Sequence, residues 1–313
     1  MSLGATFDYE QALNLGLDYK KVLKDIIRLK LSPIRIGVKW NKVETRKDKY
    51  DWKIYDHILN EFNSHNIDVI LVVGMKSPRW PEFFVPDWID LGGKTSVIKS
   101  GNSFLTEKLY NFISSILERY KKLSSIKYIQ VENEPFINVG ENKLRISSEF
   151  LKKETEFVKD RTNLKVILNS QGLPTTGLLA EYIKGRKKYK EQLIRLSDVF
   201  GVNVFPKFEG KTLLNTNITF SASKLAWGYL KAINKKVREC KKECIVTELQ
   251  AEPWQFGNVS FTDAFKNKTC NPDMVKEYLL QLEEIGFDTV LIWGTEFHLA
   301  CWEKGNDEWM KIY

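Results

Sequence analysis

A chain of 313 residues can bury a large core, and its 43% hydrophobic and 28% charged residues are ordinary for a globular protein. No apolar run approaches the ~18 residues a membrane-spanning helix requires, which excludes a helical membrane protein. The net charge of +8 is carried by lysine pairs scattered through predicted helices, such as Lys20-Lys21, Lys121-Lys122 and Lys235-Lys236. That pattern reads as solvated helix faces, because a nucleic-acid binder gathers its charge into one patch.

In chain order, short β-branched runs alternate with longer amphipathic stretches, which predicts parallel strands joined by helical crossovers. The expected strands are Ala5 to Phe7, Ile34 to Val38, Val69 to Val73, Ile126 to Val131, Val166 to Asn169, Val199 to Val204, Ile245 to Thr247 and Thr289 to Ile292. Between them, Asp18 is placed to cap a helix over Tyr19 to Leu31, Asp51 one over Ile54 to Asn63, and Thr106 one running to Tyr120. Later helices are expected over Ser147 to Lys159, Ser221 to Arg238 and Pro272 to Glu284, the proline suiting a first helical turn. The segment from Ser77 to Asn102 is the longest expected loop. Eight such units close into a (β/α)8 barrel, whose functional groups gather at the carboxyl ends of the strands. An open doubly wound sheet is the rival, but no Gly-x-Gly-x-x-Gly follows the first strand.

Two predicted strands run into glutamates at that end: Ile129-Gln130-Val131-Glu132-Asn133-Glu134-Pro135 on the fourth, and Cys244-Ile245-Val246-Thr247-Glu248-Leu249 on the seventh. Paired carboxyl groups suit glycoside hydrolysis, in which one protonates the leaving oxygen and the other attacks the anomeric carbon from the opposite face.

Together with Ile34-Arg35-Ile36-Gly37-Val38-Lys39-Trp40 and Tyr50-Asp51-Trp52, with Gly201-Val202-Asn203-Val204-Phe205-Pro206, and with Ile292-Trp293-Gly294-Thr295-Glu296-Phe297, these segments give the chain its likeness. It resembles the retaining glycoside hydrolases of clan A over nearly its whole length. The resemblance implies a single barrel domain over residues 1–313, no cofactor or metal, and a β-linked oligo- or polysaccharide as substrate. It implies Glu134 as general acid and base and Glu248 as nucleophile, with a charged Glu248 raising the pKa of Glu134 by like-charge repulsion. Arg35 would keep Glu248 ionised, and Asn133 would hydrogen-bond the sugar 2-hydroxyl. At one position the chain departs from the clan, with Phe205 where many members carry a tyrosine that touches the nucleophile. That departure motivates a second reading, a catalytically silent carbohydrate-binding barrel.

Sugar rings stack on aromatic planes, so Trp293, Trp40, Trp80 and Trp254 are candidates to face substrate, although tryptophan also fills cores. Glu296 is a candidate ligand for a sugar hydroxyl. Glu132 reads as a structural strand-end residue, Glu252 as a loop residue, and His57 and His65 as helix-surface residues. His298, past the eighth strand, either touches substrate or has no catalytic duty. Cys240, Cys244, Cys270 and Cys301 form no zinc pattern, and a Cys270–Cys301 disulfide is left open. Met1 to Phe7 lack a basic region followed by an apolar stretch, so a cytoplasmic location is expected, without nucleic-acid or membrane partners.

Overall fold

The structure, a computed structural model, describes residues 1–91, 96–99, 101–138, 140, 143–173, 186–211 and 216–313. Its barrel strands are β1 (Ser2–Phe7), β2 (Ile34–Gly37), β3 (Val69–Val73), β4 (Ile126–Val131), β5 (Lys165–Gln171), β6 (Val199–Val204), β7 (Glu243–Gln250) and β8 (Thr289–Trp293). They form a closed barrel in which each strand lies beside its neighbours in sequence and β1 beside β8. The architecture is the (β/α)8 barrel expected from the alternating pattern. β1 and β8 run parallel, from Ser2 opposite Thr289 to Thr6 opposite Trp293. Every residue of β3 and of β6 is buried, which is why these strands read as unbroken apolar runs rather than as alternations.

The crossover helices start where local chemistry satisfies their first amides. Asp18 caps Tyr19–Arg28 through the Lys20 amide, Ser147 caps Ser148–Lys159, and Asn271 caps Pro272–Ile285. The cap expected from Thr106 belongs instead to Asn102, whose side chain accepts from the Leu105 amide and starts the Ser103–Tyr120 helix a turn earlier. The Thr106 hydroxyl donates back to the Asn102 carbonyl inside that turn. Short helices that sequence pattern does not announce follow β1 (Tyr9–Asn14), β2 (Trp40–Val43) and β8 (Thr295–Glu303). Within the loop expected over Ser77 to Asn102, Val97–Ile98 pairs in parallel with Arg145–Ile146, while residues 92–95 and 100 lie outside the described ones. After β6, Lys207–Lys211 and Asn217–Ser221 form an antiparallel ladder. Cys270 and Cys301 are both buried free thiols, so no disulfide joins them.

Two compact units make up the fold, one mainly of residues 1–34 and 202–313, the other mainly of residues 35–170. Among the described residues, no helix is long and apolar enough to cross a membrane.

Candidate active site

In the unit of residues 35–170, the end of β4 is built around a pair of unusual backbone conformations. Glu132 and Glu134 have φ of 60° and 46°, in the left-handed region that costs a non-glycine residue of order 1 kcal/mol or more and persists only where surroundings fix it. Those surroundings are polar and buried. Both Glu132 carboxyl oxygens accept backbone amides, one from Met75 and one from Lys76, and the Asn133 amide donates to the Lys76 carbonyl. The carboxyl group rests against Gly74 (φ 121°), where any Cβ would fall 2.5 Å from its carbon. The Glu134 amide donates to Asn169 Oδ1 at 2.8 Å.

Asn133 is oriented by its neighbours. Its Oδ1 accepts from Arg35 Nη2 at 2.8 Å and from Asn169 Nδ2 at 2.9 Å. A guanidinium only donates, so the atom facing it must be the amide oxygen, and the Nδ2 group remains as a donor for another acceptor. Arg35 is fully buried, with its Nε bonded to Gln130 Oε1 at 2.8 Å. Lys76 is fully buried as well. Its ammonium donates to the carbonyls of Glu134 (2.8 Å) and Ile137 (3.1 Å) and lies 3.2 Å from Glu82. Burial pushes the Glu82 carboxyl up to about 7, with Lys76 pulling it down and the nearby Glu134 pushing it up.

Arg35, Asn133 and Glu134 are thus brought together in this unit, whereas Trp40 is not part of the cluster. Its ring is fully buried, stacked on Phe112 at 5.4 Å, and its indole N–H donates to Glu44. With both faces packed it offers no platform for a sugar, and the expectation for it is corrected to a core role. Trp80 is 70% exposed.

In the unit of residues 1–34 and 202–313, Glu248 lies inside β7 rather than at its end, since the strand continues to Gln250. The pairing of β7 with β8 runs from Val246 opposite Val290 to Leu249 opposite Ile292, so β7 carries one extra residue over that interval. Such a bulge breaks the in-and-out alternation and re-aims a side chain. Thr247 pins it from two sides: its carbonyl accepts the Thr6 hydroxyl at 3.1 Å, and its hydroxyl donates to Asn203 Oδ1 at 2.6 Å. Glu248 itself is buried, at 4% exposure.

Nearby in sequence, Phe205 packs edge-on against Trp254 (4.8 Å between centroids) and Trp293 (6.2 Å). Trp293 is half-buried and Trp254 is 52% exposed, so Trp254 keeps open surface that stacking could use. Glu296, in the first turn of the Thr295–Glu303 helix, is fully buried and accepts the Asp8 amide at 2.7 Å, which gives it a structural bond in addition to the sugar contact expected of it.

His298 is fully buried in the same helix. Its Nε2 meets the Ala251 carbonyl, which only accepts, so Nε2 carries the proton and Nδ1 accepts from the Tyr313 hydroxyl at 2.8 Å. Burial pushes the imidazole down to about 4. Because the folded pKa lies below the unfolded value near 6.5, this residue's contribution is complete above pH 6.5 and is lost as pH falls toward 4. The loss approaches about 3 kcal/mol below that window. The melting temperature of wild type should therefore fall more steeply between pH 6.5 and 4 than that of His298→Gln, which keeps an amide donor for Ala251 and cannot titrate. Parallel curves would refute this.

Lys76, Gln130, Asn169 and Glu82 were not singled out from sequence. Lys76 follows β3 and Asn169 is the last residue of the fifth strand expected from sequence, so inspecting every polar residue at the expected strand ends would have found both.

A family model for Glyco_hydro_42, beta-galactosidase, matches residues 17–161. No curated protein matches the chain. Among solved structures, the chain is similar to GH5_18 from Streptomyces cattleya in complex with GlcNAc, with a TM-score of 0.64 and 10% identity, covering 93% of this chain and 70% of that one. It is also similar to a GH5_18 variant from Bifidobacterium longum in complex with Manb1-4GlcNAc, with a TM-score of 0.62 and 12% identity over 94% and 68%. A third is beta-galactosidase from Bacillus circulans, with a TM-score of 0.57 and 13% identity, where the chain spans 94% of itself and half of that protein. The likeness to these structures is one of fold, the closed eight-stranded barrel, and the stretch that the family model matches includes the Asn133-Glu134-Pro135 end of β4.

Proposed function

We propose that the chain, as one catalytic barrel domain over residues 1–313, is a retaining hydrolase of β-linked oligo- or polysaccharides that works by double displacement without a metal or cofactor. Glu134 acts first as general acid, giving its proton to the leaving oxygen, while Glu248 attacks the anomeric carbon. Glu134 then takes a proton from water as that water displaces Glu248. The mechanism asks for carboxyl groups about 5–5.5 Å apart.

The observation that carries this reading is the oriented Asn133 amide beside Glu134. With its oxygen held by Arg35 and Asn169, its N–H donor is available for a 2-hydroxyl, a contact that strengthens as positive charge develops at the anomeric centre. The bulge at Glu248 and the open face of Trp254 agree with it, Trp254 and Trp293 serving as stacking surfaces and Trp80 as an outer one. For Glu296 we propose a sugar-hydroxyl contact.

Incubation with activated 2-deoxy-2-fluoro β-glycosides tests the proposal. The galactoside is the first choice because of the family model, and the glucoside, mannoside and xyloside follow. Peptide mapping should find one sugar esterified to Glu248. A protein that binds these sugars and is never labelled would be the silent carbohydrate-binding barrel instead.

A further inference from the structure

Behind the β4 end lies a second pair of acids. Glu154, from the Ser148–Lys159 helix, is fully buried, and neither of its carboxyl oxygens meets a hydrogen-bond donor among the described residues. Its neighbour, within side-chain hydrogen-bonding reach, is Glu132, also fully buried, whose two oxygens accept the Met75 and Lys76 amides. An ionised Glu154 in this position would be a buried charge with nothing to bond it, beside a second negative charge. A proton on Glu154 removes both costs, since the carboxylic acid can then donate to Glu132. Burial, and then the Glu132 charge, push the Glu154 carboxyl well above the usual range. The other titratable groups facing the pair are Lys76, after β3, and Tyr110, from the Ser103–Tyr120 helix.

We infer that Glu154 is a positioning residue: its carboxyl O–H bonds Glu132, and Glu132 in turn fixes the Met75 and Lys76 amides and the strained end of β4. The chain of contacts is continuous. Lys76, held by its amide at one end, reaches with its ammonium to the Glu134 and Ile137 carbonyls at the other, and its own carbonyl receives the Asn133 amide. The consequence for catalysis rests on the assignment of Glu134 as acid and base. Loosening the pair lets that residue drift from the leaving oxygen, and a misplacement near 1 Å costs on the order of 10²-fold in rate.

Glu154→Gln keeps a donor for Glu132, whereas Glu154→Leu does not. At pH 7, the wild-type-minus-Glu154→Gln infrared difference spectrum should contain the carbonyl stretch of one protonated carboxylic acid, the bands of Glu82 and Glu134 being common to both proteins and cancelling. Glu154→Leu should lower kcat on a nitrophenyl glycoside by about 10- to 100-fold with KM nearly unchanged, and shift the basic limb of its pH profile, while Glu154→Gln stays within about threefold of wild type. Amide exchange at Met75 and Lys76 should quicken in Glu154→Leu alone. Absence of that band from the difference spectrum, or equal amide protection in the two variants, overturns the inference. If wild type neither turns over nor becomes labelled, the catalytic assignment fails by itself, and the infrared and exchange measurements still decide the role of Glu154.

Discussion

Glu134→Gln is expected to lose turnover of unactivated glycosides by about 10²- to 10⁴-fold, the usual worth of a positioned general acid. The substitution is nearly isosteric, and it leaves in place the Glu134 amide and carbonyl that bond Asn169 and Lys76. The fold should therefore be retained and the loss should be chemical. It should also depend on the leaving group. A dinitrophenolate departs without protonation, so formation of the glycosyl intermediate should stay close to the wild-type rate on that substrate. Hydrolysis of the intermediate still needs a base, so a burst of phenolate followed by slow steady turnover is the expected trace. Azide, which needs no deprotonation, should relieve the slow phase and release a β-glycosyl azide. A variant that loses equal activity on activated and natural substrates would show that Glu134 has another role.

The barrel was legible because its strands are largely buried, β3 and β6 at every residue. β3, β4 and β6 run from the first to the last residue expected, since an apolar run bounded by polar residues has no other place in this fold. The strand ends carried the site for the same reason, and Glu134 and Glu248 stood out as acids ending apolar runs. The details resisted sequence reading where two causes produce one pattern. Tryptophan serves both a packed core and a sugar platform, and Trp40 belongs to the core because Phe112, far along the chain, stacks on it. Glu248 looked like a strand terminus because a bulge is a matter of register against β8, which one strand's sequence does not encode. Lys76, Asn169 and Glu154 act through partners that no periodicity links to them. His298 read as a loop residue, since the helix from Thr295 to Glu303 begins at a glycine without a side-chain cap.

The largest effect is expected at the other acid. Glu248→Ala removes the group that must form and release the covalent bond, and nucleophile removal costs on the order of 10⁴- to 10⁶-fold in kcat. The backbone around it should hold, because the bulge is pinned through Thr247 by Thr6 and Asn203. The vacated space should admit a small anion. With azide and an activated β-glycoside, nitrogen forms its bond to the anomeric carbon from the face Glu248 occupied as the phenolate leaves with its electron pair, and the product is the α-glycosyl azide. The anomer assigns the two residues independently of rate: the Glu134 variant gives β-azide by two displacements, and the Glu248 variant gives α-azide by one. If azide yields the β-anomer from Glu248→Ala, or restores nothing while sugar binding persists, the nucleophile lies elsewhere in the barrel.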